Sequence, residues 1–267
     1  MKNVLLLVHD DKGQEARFQS ALDLTRALGG HLTCVDVSVL PIPVAGDYYG
    51  GGAGTGLLLE VERDHEHANK TRVEERLREE GLPWTWIDIT ESLSSGVLAA
   101  ADMSDIIVLN RKLDSSRAPN MRNVTSEVVM HARKPVVAVP DNARRFDLDR
   151  ALIAWDGQAC CAETVRACIP LLSLAKEVEI FMVRDGAEKI EPTEAAEYLS
   201  RHNIHAEVRI VTDGLTPADE IILDEMTRFR ADYVIMGAYG HGRLLEAFGG
   251  VTKRLLATSP IPLVLGH

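Results

Sequence analysis

Residues 231–267 read Ala-Asp-Tyr-Val-Ile-Met-Gly-Ala-Tyr-Gly-His-Gly-Arg-Leu-Leu-Glu-Ala-Phe-Gly-Gly-Val-Thr-Lys-Arg-Leu-Leu-Ala-Thr-Ser-Pro-Ile-Pro-Leu-Val-Leu-Gly-His. A short apolar strand, Tyr233 to Met236, runs into a turn containing Gly237, Gly240 and Gly242. A glycine pair, Gly249-Gly250, then precedes Val251-Thr252 and a helical run, and a last strand from Pro262 to Leu265 follows. Glycines between a strand and a helix start let backbone N–H groups approach an anion closely, and the helix dipole favours negative charge there. The stretch therefore reads as a phosphate cradle.

Working outward, strands and helices alternate. Leu152 to Trp155 reads as a strand, Ala162 to Leu174 as a helix and Val178 to Val183 as a strand. Thr193 to Arg201 (helix), Ala206 to Val211 (strand) and Pro217 to Phe229 (helix) lead into the glycine stretch. The first half has the same alternation. Its strands are Val4 to Val8, His31 to Val37, Trp84 to Ile89, Asp105 to Leu109 and Val136 to Val139. Its helices are Gln14 to Leu28, Leu57 to Glu80, Leu93 to Ala101 and Val124 to His131. Val39 to Gly56, rich in Pro, Gly and Tyr, reads as a loop, and the polar run Asp141 to Arg150 as a linker. Such alternation predicts parallel sheets covered by helices on both faces.

The two halves share punctuation. Asp105 and Asp232 lie 127 positions apart, and so do Asn110 and Gly237, Asn123-Val124-Thr125 and Gly250-Val251-Thr252, and Pro135 and Pro262. Asp10 and Asp156 are 146 apart, the difference falling to the extra Val39 to Gly56 loop. One repeated offset implies two copies of one domain of roughly 130 residues. The expected organisation is a domain over 1–140, a linker over 141–150 and a domain over 151–267. The fold class expected is α/β, with two open, mostly parallel five-stranded sheets packed as a pseudo-dimer within the chain. The terminal strands Val136 to Val139 and Leu263 to Leu265 would meet and cover each other's edges.

Bulk properties narrow the function classes. The formal charge of −11 argues against nucleic-acid binding through a basic surface. No apolar run approaches the roughly 20 residues of a membrane span. The four cysteines, Cys34, Cys160, Cys161 and Cys168, form no Cys-x-x-Cys pair, and Met1-Lys2-Asn3 opens no signal peptide, so a reducing cytoplasm is the expected compartment.

Together, the glycine spacing Gly237-x2-Gly240-x9-Gly250, the strand order and the duplication resemble the universal stress protein family. Its nucleotide-binding members carry G-x2-G-x9-G-[S/T] after the fourth strand, and the chain as a whole is similar to the tandem members found in bacteria. Val251 stands where the family has Ser or Thr, with Thr252 the nearest substitute. A lost hydroxyl removes one hydrogen bond of about 1 kcal/mol, which weakens phosphate binding without abolishing it. In the first copy the equivalent, Asn110 to Thr125, keeps the spacing and has lost the glycines, with Leu113 where backbone must approach phosphate.

The resemblance implies that Asp156 lies near the adenosine, that Val183 contacts the adenine, and that Gly237, Gly240 and Gly250 surround ribose and phosphates beside Val251. Thr252 is then a candidate phosphate ligand. The implied ligand is ATP or a related adenine nucleotide, with or without Mg, bound in the second half of a stress-linked sensor or adaptor with at most slow ATP hydrolysis. A protein partner of unknown kind and a further homodimer stay open. The alternative reading is a structural or protein-interaction module that binds no nucleotide.

Other features weigh less. Asp10 reads as a helix cap; Asp156 reads as a cap or a ligand contact. His241 reads equally as a phosphate contact or a solvated loop residue. Arg111 and Lys112 read as solvated charges. His65 and His67 point apart on a helix, which disfavours a metal, and no catalytic or metal residues are expected. Gly50 to Gly56 lacks the Gly-Lys-[Ser/Thr] of a P-loop and reads as a lid or linker, with Tyr48-Tyr49 as a tether. Cys160 and Cys161 read as packing residues at a helix start.

Overall fold

The computed structural model describes residues 1–38, 67–111, 121–184, 186, 188–238 and 250–267. The first half contains β1 (Asn3–Val8), α1 (Gln14–Leu28), β2 (His31–Ser38), α2 (67–80), β3 (Trp84–Thr90), α3 (Leu93–Ala100), β4 (Ile106–Asn110), α4 (Met121–Ala132) and β5 (Val136–Val139). The second contains β6 (Arg150–Ala154), α5 (Ala159–Ala167), α6 (Ile169–Leu172), β7 (Glu177–Val183), α7 (Pro192–Ser200), β8 (Ala206–Val211), α8 (Ala218–Phe229), β9 (Tyr233–Gly237), α9 (Gly250–Thr258) and β10 (Leu263–Gly266). The sequence-predicted loop Val39 to Gly56, with Tyr48-Tyr49 and Gly50 to Gly56, lies outside the described residues, as do His65 and residues 57–66 of the expected helix.

Local chemistry sets these boundaries. Gly29 ends α1 in the left-handed conformation (φ 54°), and its N–H returns to the last turn. The helix expected over Ala162 to Leu174 is broken into α5 and α6 at Cys168, because Pro170 offers no N–H to the preceding turn and its ring crowds it. In β1, Val4, Leu6 and Val8 pack into one core cluster and Leu5 and Leu7 into the other, one on each face of the sheet. A continuous apolar run is what a strand buried on both faces requires.

The strands form one sheet of ten, in the order β3-β2-β1-β4-β5-β10-β9-β6-β7-β8. This corrects the expectation of two separate five-stranded sheets. The terminal strands do meet, and they meet by antiparallel hydrogen bonding: Leu263 pairs with Ala138, Val264 with Val137 and Leu265 with Val136. All other pairings are parallel. Joining β5 to β10 satisfies two rows of backbone groups that separate sheets would leave as open edges. Both core clusters cross this seam, with Val137 and Val264 in one and Ala138 and Leu263 in the other.

Register repeats between the halves. Ile107 pairs with Val136 as Val234 pairs with Leu263, and Asn110 pairs with Val139 as Gly237 pairs with Gly266. The repeated acids have a common task. Asp105 accepts from the N–H groups of Lys2 and Asn3 (2.6 and 2.8 Å), and Asp232 from that of Arg150 (2.8 Å). Each pins the start of its half's first strand. The prolines match too, the Pro135 carbonyl accepting from Ile107 and the Pro262 carbonyl from Val234.

The polar run expected as a linker contains a core residue. Phe146 is 4% exposed and stacks at 5.6 Å on Tyr233, and its N–H donates to Asp23 of α1 at 2.9 Å. The connection between halves is thus anchored to both.

Candidate functional site

In the second half β6, β7 and β9 run parallel with β6 in the middle, so their carboxyl ends share one edge of the sheet. The strand order switches at β6, with β7 and β8 on one side and β9 and β10 on the other, and such switch points are where open α/β sheets form ligand crevices. Asp156, two residues past β6, Val183, ending β7, and Gly237, ending β9, all lie at this edge. The helix α9 returns antiparallel to the strands before β10, which brings its first residues, Gly250, Val251 and Thr252, to the same edge. Gly240, His241, Gly242 and Gly249 lie outside the described residues.

Each residue has a local setting. Asp156 Oδ1 accepts from the Gln158 N–H (2.9 Å), a turn that feeds α5, with Gly157 between them at φ 69°. Gly237 sits hard against that helix. A Cβ there would lie 2.7 Å from the Cys161 nitrogen and 2.9 Å from Cys160 Sγ. The lack of a side chain at Gly237 therefore serves the approach of α5 to β9. Gly250 is exposed and Val251 half-buried. Thr252 is only 5% exposed.

The first half resolves the same edge differently. Thr125, fully buried, donates its hydroxyl to the Asn110 carbonyl at 2.9 Å. The Asn110 side chain, standing at the register position of Gly237, donates to Asp141 at 3.1 Å and accepts from Arg17. Arg17 is 0% exposed, and its guanidinium also donates to the carbonyls of Leu7 (2.7 Å) and His9 (3.0 Å) and to Asp11 (2.9 Å). The carboxyl ends of β1 and β4 are thereby closed by the protein's own polar groups. Where α1 has Arg17, four residues after its cap Gly13, α5 has Ala162, four after its cap Gln158.

Several expectations are corrected. The acid at the foot of α1 is Asp11, which accepts from the Gly13 N–H at 2.7 Å; Asp10 pairs instead with Arg72 of α2. Asp11 rather than Asp10 is thus the counterpart of Asp156. Arg111 is not a solvated charge: it is half-buried and donates to the Leu256 carbonyl of α9, tying the halves together; Lys112 and Leu113 lie outside the described residues. His67 is exposed on α2, and no cluster of metal-ligating side chains occurs among the described residues. Burial pushes the Cys160 thiol up to about 11, helped by Asp156, and raises Cys34 and Cys168 to about 12. Cys161 is raised further still. These are packing thiols.

Arg17 carries no motif and escaped the sequence reading. Its signal is positional: Arg17, Ala21, Leu24 and Leu28 fall at i, i+4, i+7 and i+11, so a charge sits on the apolar stripe of α1.

Residues 150–266 match the model of the Universal stress protein family. They form a universal stress protein domain. A universal stress protein from Archaeoglobus fulgidus superposes with a TM-score of 0.73 at 16% identity, covering 99% of this chain and 95% of that one. A putative universal stress protein from Pseudomonas aeruginosa gives 0.60 at 16% identity over 100% and 93%, and a functionally unknown protein from the same species gives 0.61 at 16% over 100% and 92%. At such identity the likeness establishes that the whole chain, with the universal stress protein domain as its second half, shares their fold. No curated protein matches the sequence. No helix among the described residues is long and apolar enough to cross a membrane.

Proposed function

We propose that the chain is a tandem universal stress protein and that its second half binds ATP or a related adenine nucleotide. The observation that carries this is the meeting of Asp156, Val183, Gly237 and the first turn of α9, with Gly250, Val251 and Thr252, at one carboxyl edge of the sheet, where the first half has Thr125 bonded to the Asn110 carbonyl. At this edge the Thr252 hydroxyl can donate to a phosphate oxygen, a hydrogen bond worth on the order of 1 kcal/mol. The exposed Gly250 and the N-terminal dipole of α9 favour the same anion. Asp156 and Val183 at neighbouring strand ends suit the adenosine, and a Mg ion accompanying the phosphates would be held chiefly by the phosphate oxygens, with Thr252 the nearest protein oxygen the resemblance offers.

The repeated register supports descent of both halves from one domain over 1–140 and 151–267. The first half, filled by Arg17 and Asn110, takes the part of scaffold. Such a protein acts as a sensor or adaptor through what it binds, with hydrolysis slow or absent. It would work in the cytoplasm through a protein partner.

Calorimetry of the full chain with ATP tests the reading. Binding with Kd on the order of micromolar, lost in Gly240→Leu and weakened about tenfold in Thr252→Val, is the expected result. No heat with ATP, ADP or AMP overturns it and leaves the nucleotide-independent interaction module, which the packing role of Gly237 favours.

A further inference from the structure

A cavity of about 540 Å³ opens at the seam between the halves, beside the end of β10. This is within the roughly 300–1,000 Å³ of small-molecule sites, which gather where domains meet. Arg133 and Lys134, past the end of α4, form the wall from the first half. Cys160, Glu163 and Thr164 of α5, with His267, form the wall from the second. None of Asp156, Val183, Gly237, Gly250, Val251 and Thr252 lines it, although it adjoins the nucleotide edge, since its lining residues Cys160 and Gly266 stand next to Gly237.

The charge of this cavity is unbalanced. No hydrogen bond or ion pair holds the Arg133 side chain among the described residues. Lys134 Nζ donates to the Asp102 carbonyl at 3.0 Å, a neutral partner that leaves its charge uncompensated. The acid in the wall, Glu163, has its own cation in Arg166 at 3.6 Å. The first turn of α5 at Cys160 adds the positive end of a helix dipole, shared with the Asp156 carboxylate that accepts from the Gln158 N–H. Among the lining side chains two cations, Arg133 and Lys134, stand against one carboxylate, Glu163. Around α1, the first-half counterpart of α5, the chain covers itself: the connector runs across it with Phe146 buried and bonded to Asp23.

We propose that the cavity binds a small metabolite carrying at least two negatively charged carboxylate or phosphate oxygens. Arg133 and Lys134 hold it from the first half and the start of α5 from the second. Because each half supplies part of the site, occupancy fastens the β5–β10 seam. A guanidinium takes two oxygens of such a group at once, and the ammonium neutralises what remains.

Calorimetry of the full chain with citrate and with inorganic phosphate, at constant ionic strength against chloride, tests this. The expected result is saturable one-to-one binding of at least one probe, weakened about tenfold or more in Arg133→Glu and less in Lys134→Ala. Circular dichroism confirms that the variants stay folded; Arg133 is exposed and its replacement removes no packing. Binding that survives Arg133→Glu overturns the proposal. So does binding that Thr252→Val abolishes and Arg133→Glu leaves intact, which would put the anion in the nucleotide crevice. Absence of binding for both probes at millimolar concentration overturns it as well. Because ATP binding is read separately, either assignment can fail without the other.

Discussion

The Arg17 guanidinium donates to the Asn110 side chain at the carboxyl ends of β1 and β4, with both residues fully buried. Three further partners, the Leu7 and His9 carbonyls and the Asp11 carboxylate, fix the guanidinium in place. Removing one member of a buried charged network leaves the others desolvated and unpaired. Arg17→Ala is therefore expected to lower unfolding stability by about 3–5 kcal/mol, read as a fall in the urea midpoint. Arg17→Lys keeps the charge without the planar fork and should recover only part of the loss. An unchanged midpoint in Arg17→Ala would show that the network does not hold this half together.

Much of this fold is legible in the sequence, and the gaps have physical causes. Gln14 to Leu28 is read correctly because its apolar spacing and Gly29 both mark it. The break at Cys168 is missed because apolar periodicity continues through Pro170, while the backbone cannot. The meeting of β5 with β10 is expected from the two-fold arrangement of the halves; that it fuses them into one sheet is missed, because this depends on main-chain hydrogen bonds between distant strands, of which hydropathy carries no record. At the candidate site, residue type shows the glycines, and only packing shows that Gly237 accommodates α5. Arg17 is legible in hindsight from its place on an apolar stripe; its partners Asn110 and Asp141 are not.

Gly237→Ala separates packing from ligand approach. The new Cβ would fall 2.7 Å from the Cys161 nitrogen and 2.9 Å from its Cα, both backbone atoms of α5 that cannot rotate away. Overpacking of this kind costs about 1–3 kcal/mol. Thermal unfolding should show the loss with no nucleotide present. A variant of native stability that binds ATP poorly would instead assign Gly237 to the ligand.

Phe146 makes the connector part of the core. Phe146→Ala removes a ring packed on Tyr233 and should cost about 3–5 kcal/mol by chemical denaturation. Asn142, an exposed neighbour on the same connector, should tolerate alanine within about 0.5 kcal/mol. Equal effects at the two positions would mean that the connector is a passive link.

A last prediction concerns pH. Glu179 on β7 and Glu225 on α8 are 2% and 4% exposed and share Arg228, while Glu225 also pairs with Arg209, and the exposed Glu207 of β8 lies beside Glu179 in the sheet. Burial, followed by the hydrogen bond to Glu225, lifts the Glu179 carboxyl to about 7. Burial alone would raise Glu225 too, but hydrogen bonds from Arg228 and Glu179, with Arg209 nearby, outweigh it and leave Glu225 lowered. Glu179 Oε1 has no hydrogen-bond partner among the described residues, and the proton that Glu179 retains lets it donate to the Glu225 carboxylate. A carboxyl raised on folding binds its proton more tightly in the native state. Its stabilising effect is complete below the ordinary carboxyl value of 4.5 and is lost as pH rises through about 7. Denaturation midpoints should therefore fall between about pH 5 and pH 8. Glu179→Gln, which keeps a donor toward Glu225 without titrating, should flatten that slope and exceed the parent protein at pH 8. A slope that Glu179→Gln leaves intact would assign the pH dependence to other groups.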